Sequence, residues 1–175
     1  MTSLRFMRVV GALLAVGLAA GCGTSYSWRS DVPFDKRTVN VPTFANETDI
    51  TELGAVAARQ MLREIQREGT FRIASEGDAA LELQGVVKKV SMGVVGYDRR
   101  AGMRNAGFSL SAVVEVSVVD KARRAVVQDA KRYVATTTAT SSQDLMSARR
   151  DASGRLMDDL ARQVVDDLRD LKFSE

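Results

Sequence analysis

Apolar residues recur along this chain with two different periods, and the switches between them mark its elements. The clearest stretch runs from Phe108, where Phe108, Leu110, Ala112, Val114, Val116 and Val118 alternate with Ser109, Ser111, Val113, Glu115, Ser117 and Val119. A strict period of two predicts a strand with one buried and one more polar face, which favours antiparallel pairing. Asp120 to Arg124 reads as a polar turn, and Ala125 to about Thr138 as the strand that pairs back. Its Thr136-Thr137-Thr138 run suits strand geometry. Upstream, Ala79 to Val95 is a further strand in which Leu81 and Leu83 alternate with polar or small residues. The alternation slips near Gly85, where Val86 and Val87 are adjacent, so a bulge or bend is expected there. Tyr97 to Gly107 is a loop rich in Gly and Arg. Arg37 to Ala45 carries Val39, Val41 and Phe44, with Pro42 breaking the alternation, as at an edge or a strand end. Phe71 to Ile73 is a short extended piece.

Two segments switch to the helical period. Between Thr51 and Glu68, Leu53, Ala57, Met61 and Ile65 repeat every four residues, with Ala58 and Leu62 beside them. Arg59, Arg63, Glu64, Arg67 and Glu68 fall outside that stripe, and Gly69 stands where a helix ends. Asn46 to Asp49 supplies cap-type side chains ahead of the helix. Asn46-Glu47-Thr48 also spells a glycosylation sequon, for which capping is the better account. The last helix is predicted over Gln143 to Leu171, opened by a capping box of Ser141 and Asp144. Met146, Ala152, Leu156, Leu160, Val164, Leu168 and Leu171 share its stripe, while Asp151, Arg155, Asp158, Asp159, Arg162 and Asp166 lace the outer face at spacings of four. The order is β-α-β-β-β-α. It predicts an α+β fold with two helices packed on one face of a four-stranded mixed sheet, the first helix making a right-handed crossover. The opposite face, with its serines, threonines and Glu115, is left free of helices. Residues 37–175 form one such domain.

The chain ahead of it follows neither period. Arg5 and Arg8 precede an uncharged stretch from Val9 to Ala20, and Ala19-Ala20-Gly21-Cys22 follows. A positive start, a short apolar run and small residues describe a secretory signal peptide over residues 1–21. The apolar run is shorter than the roughly 20 residues that a membrane-spanning helix needs. The one Cys of the chain stands directly after the small residues. This resembles a bacterial lipobox, in which Cys22 is diacylated, becomes the new N-terminus and is acylated again on its amine. The usual Leu three residues before the Cys is Ala19 here, with Leu18 one position earlier. An ordinary signal peptide followed by a chance Cys is the competing reading. Residue 23 is Gly rather than Asp, which by the same resemblance implies the outer membrane. Residues 22–36 read as the lipidated Cys and a tether.

Composition then narrows the chemistry. The 175 residues are 45% apolar and 27% charged, so the chain is not disordered as a whole. With no His and one Cys, Ser-His-Asp, Cys-His and His-zinc chemistry are excluded, and no internal disulfide is possible. No Ser-x-x-Lys, phosphate-loop or G-x-G-x-x-G motif occurs. The chain is therefore not expected to be an enzyme, and no cofactor is expected. The formal charge of +3 suggests an anionic partner, but Arg5 and Arg8 leave with the signal peptide, and 23 basic residues then face 22 acidic ones. A nearly neutral domain argues against nucleic acid.

Val41-Pro42-Thr43-Phe44-Ala45-Asn46-Glu47-Thr48 carries a resemblance. So do Arg67 to Ile73, Gly77-Asp78-Ala79-Ala80-Leu81, Leu83-Gln84-Gly85-Val86-Val87, Gly96-Tyr97-Asp98 and Leu160 to Leu168. Taken in this order behind the lipobox, they resemble the LptE family, the lipopolysaccharide-assembly lipoproteins of the outer-membrane translocon. The resemblance implies two helices on one face of a four-stranded sheet. It also implies a lipoprotein held by its acyl chains in the cell outer membrane, facing the periplasm and the lumen of a large β-barrel. There it would plug and help assemble the barrel, bind lipopolysaccharide and help deliver it to the outer leaflet. The serine-rich face suits a polar barrel lumen, and it equally suits plain solvent.

Lipid A and its sugar core are anionic, so Lys and Arg are their natural contacts. One group is Lys88 and Lys89 with Arg99, Arg100 and Arg104 in the next loop. The other is Lys121, Arg123 and Arg124 in the turn, followed by Lys131 and Arg132. In a meander that loop and that turn lie at opposite ends of the sheet. A solvated surface explains either group as well. The alternative function is a lipoprotein that activates a peptidoglycan synthase or serves another secretion system. Against an activator stands a tether of only about 14 residues, which reaches about 50 Å when extended.

Overall fold

The computed structural model describes residues 32–97, 106–141 and 145–173. The expected signal peptide, Cys22 and the expected tether up to residue 31, Arg99, Arg100, Arg104, and the Gln143-Asp144 helix opening lie outside the described residues. The elements in chain order are β1 (Thr38–Asn40), β2 (Ala45–Asn46), α1 (Leu53–Glu68), β3 (Arg72–Ile73), β4 (Leu81–Tyr97), β5 (Ala106–Asp120), β6 (Ala125–Ser141) and α2 (Leu145–Arg169). A 3-10 turn at Phe34–Lys36 precedes them.

The fold is α+β with a mixed sheet, but the sheet has six strands rather than the expected four. Its order is β3-β1-β4-β5-β6, with β2 also paired to β4. Two local causes account for the difference. Pro42 lacks an N–H, so the first strand breaks into β1 and β2, each running parallel to β4. The piece after α1 returns beside β1 as β3, also parallel. The three long strands β4, β5 and β6 form the predicted antiparallel meander.

One core joins both helices to one sheet face. Leu81, Leu83 and Val87 of β4, every second residue from Leu110 to Val118 of β5, and Tyr133 and Ala135 of β6 are buried in it with the α1 and α2 stripes. Leu53, Ala57, Met61 and Ile65 are all buried in α1, as the period required. In α2 the buried band is wider than one stripe, because Met157, Ala161 and Val165 are buried beside Leu156, Leu160 and Val164. Gly69 ends α1 in the left-handed conformation, φ 81°, and donates its N–H to the Ile65 carbonyl. At the other end of α1 the expected cap is absent. Asn46 Nδ2 donates to the Ile50 carbonyl at 2.8 Å, and Thr48 N–H and Oγ1 donate to Asn46 Oδ1. These polar side chains brace the loop between β2 and α1, while Glu52, the residue just ahead of the helix, makes no side-chain capping bond.

The expected irregularity at Gly85 has a different explanation. Burial alternates without a break through Leu81, Leu83, Gly85 and Val87. The missing side chain at Gly85 makes room for the Phe44 ring, whose Cζ would lie 2.5 Å from a Cβ placed there. Gly54 does the same beneath the Phe44 carbonyl. The register shifts come later in β4, between Val87 and Lys89 and between Val94 and Gly96.

Candidate functional site

The helix-free face is set by register. Lys89, Val113 and Val134 stand abreast across β4, β5 and β6, followed by Ser91, Ser111 and Thr136, then Gly93, Ser109 and Thr138. One end of this face is thus a ladder of small hydroxyl residues and glycine. The other end is charged, with Val86, Glu115 and Arg132 abreast and Gln84 paired to Ser117. Val113 and Val119 are half-buried there, each opposite a more exposed valine of β6, Val134 at 50% and Val126 at 58%.

Lys88 sits at the first register shift, and the shift puts it beside Lys89. Its Nζ donates to Glu47 Oε1 at 2.6 Å. That hydrogen bond, with the Glu47 and Glu115 charges, holds its pKa above the usual lysine value. Lys88 therefore ties the β2–α1 loop to the open face, and Lys89 is the exposed member of the pair.

The turn between β5 and β6 is built on Asp120. Its Oδ1 accepts the N–H groups of Ala122 and Arg123 at 3.0 and 3.2 Å. Its Oδ2 lies 2.7 Å from Lys36 Nζ, and the two side chains are 3% and 9% exposed. Burial alone would raise the Asp120 pKa, but Lys36 and the two turn N–H groups outweigh it and hold the carboxyl below its usual range. Lys121 turns back onto β4 and its preceding loop, donating to the Glu76 carbonyl and lying 3.7 Å from Glu82. Arg123 and Arg124 are exposed at the tip, with Arg124 in the left-handed region at φ 52°. Lys131 is engaged with Asp167 of α2, while Arg132 is exposed opposite Glu115.

The structure therefore keeps the two basic groups apart. Leu81 pairs with Asp120 beside the turn, whereas Lys89 pairs with Val113, seven residues along β5. That separation is roughly 23 Å at about 3.3 Å per residue. Lys36 and Asp120 were invisible as a pair in the sequence, since one reads as tether and the other as turn. Their only sequence signal is a charged residue where the buried alternation of β5 continues, two positions beyond Val118.

A sequence model described as "LptE: Lipopolysaccharide-assembly" matches residues 37–168. The chain belongs to the LptE family. A comparison with curated protein sequences found no match. Among solved structures, the chain is similar to CT253 of Chlamydia trachomatis, with a TM-score of 0.53 and 14% identity over 78% of this chain and 97% of that one. It is also similar to a protein of Caulobacter crescentus described as a lipoprotein, with a TM-score of 0.51 and 17% identity over 75% of this chain and 88% of that one. At these identities the likeness is one of fold. The LptE match spans every strand and both helices up to Leu168.

Proposed function

We propose that this LptE protein is an outer-membrane lipoprotein, acylated at Cys22, that plugs a β-barrel translocon and helps place lipopolysaccharide in the outer leaflet. The family match over residues 37–168 carries the reading. The helix-free face adds a physical reason. Its hydroxyl ladder of Ser91, Ser111, Thr136, Ser109 and Thr138 can exchange water for the polar side chains that line a barrel lumen. The protein works in this reading by fit and by charge, with no catalytic step. A pull-down of the full chain from solubilised outer membranes should recover a large β-barrel protein. Recovery of a peptidoglycan synthase in its place would sink the translocon reading. In the same cells a fatty-acid analogue should label the wild type and not Cys22→Ser; unlabelled wild type would remove the anchor.

For lipopolysaccharide itself, Arg123 and Arg124 are the best-placed contacts, exposed on a turn that Asp120 holds rigid. Lys89, exposed on the open face, is a second contact point. Arg123→Gln with Arg124→Asn keeps a residue that tolerates φ 52° at the second position. The double variant should weaken lipopolysaccharide binding about three- to tenfold at low salt and less at high salt. Equal binding by both proteins at every ionic strength would remove the turn from consideration.

A further inference from the structure

β6 ends the sheet, so one of its sides has no strand neighbour among the described residues. An open strand edge is a template for another strand, and proteins guard it with charges, bulges, proline or shortness. The opposite end of the sheet is guarded by shortness, since β3 has two residues. Past Val87, β4 has no described strand beside it on the β2 side, but Lys88 and Lys89 open that stretch and register shifts bracket it. The first half of β6 is guarded as well. Its register with β5 shifts between Gln128 and Lys131, and Asp129, Lys131 and Arg132 are exposed there. The second half has none of these devices. From Lys131 to Ser141 its pairing with β5 advances without a shift. Tyr133 to Ser141 carries no charge and no proline. Val134 is 50% exposed, and Thr136 and Thr138 are exposed with it on the helix-free side.

The backbone along this edge is set for pairing. The Val134 carbonyl accepts from Gln163 Nε2 of α2 at 3.5 Å, so it points away from β5. The N–H and C=O of one residue leave a strand on the same side, and the side alternates. Thr136 and Thr138 therefore also present their backbone groups outward. The sequence shows what fits them. Ala135-Thr136-Thr137-Thr138-Ala139 reads the same in both directions. Two antiparallel copies centred on Thr137 set alanine against alanine and threonine against threonine. Thr136 then faces the second copy's Thr138, outward backbone to outward backbone, and each such pair exchanges two hydrogen bonds. Arg132 falls beyond the second copy's Ser141, so no like charges stand opposite one another. We propose that the second half of β6 pairs with itself in a second copy of this chain, joining two sheets across a two-fold axis at Thr137. Such a contact closes after two copies, so it consumes the edge and does not propagate. The long Gln163 bond gives way to a strand bond, and the hydroxyl ladder continues through Thr136 and Thr138 into the second sheet. None of this depends on a barrel or on lipopolysaccharide.

Disulfide trapping of the full chain in its own cells, with a thiol oxidant added, tests the axis. Thr137 meets its own counterpart in a pair without mutual hydrogen bonds, where Cα atoms are about 4.5 Å apart and a disulfide can form. Thr137→Cys should run mostly as a reducible dimer, against the background set by the wild type, whose one Cys is Cys22. Ala130→Cys, exposed on the same strand, should stay at background, because its two copies would stand roughly 45 Å apart. Adding Thr136→Lys to Thr137→Cys should cut the dimer fraction about tenfold or more, by placing like charges at the junction. Thr136→Pro should do the same by removing an outward N–H, a change that an open edge tolerates. Position 136 is exposed, and an unchanged melting temperature of the purified variants confirms the fold. A Thr137→Cys dimer no more abundant than that of Ala130→Cys would overturn the proposal. So would a dimer that survives both changes at position 136. Mass spectrometry of the trapped species should find this chain alone; a disulfide to a different protein would overturn the second copy as occupant. Barrel recovery in the pull-down is a separate readout, so either idea can fail alone.

Discussion

Asp120→Asn will cost about 3–5 kcal/mol of folding stability, because it leaves the Lys36 ammonium buried without its counter-charge. The substitution isolates the charge, since an amide oxygen can still accept the Ala122 and Arg123 N–H groups. Urea unfolding of the two proteins at pH 7 measures the difference. A double replacement, Lys36→Met with Asp120→Leu, removes both charges and should recover most of that loss, less what the turn N–H groups forfeit. The pH dependence follows from the same pair. The folded-state pKa of Asp120 lies below its ordinary value of 3.8, so its stabilisation is fully present above that value and is lost as the pH falls through the depressed one. Wild-type stability should therefore drop steeply below about pH 4, while Asp120→Asn shows a shallower acid limb. A cost under about 1 kcal/mol, or identical acid limbs, would show that the pair is solvated in solution.

The second large effect is at Phe44. Its ring is 4% exposed and fills the recess that Gly85 leaves in β4, and its carbonyl lies against Gly54 of α1. Phe44→Ala should cost about 3–5 kcal/mol, the sum of lost burial and the cavity left behind. Gly85→Ala makes the opposite error, driving a Cβ into the ring, and should cost about 1–3 kcal/mol. The two positions share one space. In the Phe44→Ala background the Gly85→Ala cost should therefore largely vanish, a coupling of at least about 1 kcal/mol in a double-mutant cycle. Costs that simply add would mean that the ring sits elsewhere.

The framework of this protein was legible where a single period ran uninterrupted. In β5 every second residue from Phe108 to Val118 is buried, and in α1 every fourth from Leu53 to Ile65. The pleat and the helical turn repeat at those spacings, so the core-facing side was readable one residue at a time. Basic residues were legible as types but not as partners. Lys88 and Lys121 differ from Lys89 and Arg124 only in that Glu47, Glu82 and the Glu76 carbonyl lie close by in the fold.

What the chain determines by itself is therefore its local geometry. That covers the element types, the polar and apolar faces, and the glycine that ends α1. Tertiary structure decided the rest, because it depends on residues far apart in sequence. The first strand divided along the edge of β4 and gained β3 as a second parallel neighbour. Gly85, an apparent gap in the pattern of β4, became a socket only when Phe44 arrived from another strand end. Lys36 and Asp120, 84 positions apart, could share a buried charge only after the sheet brought the 3-10 turn against the end of β5. Asp49 and Arg149, 100 positions apart, likewise pair only once the start of α1 packs beside α2, since periodicity records which way a side chain faces and not what it will meet.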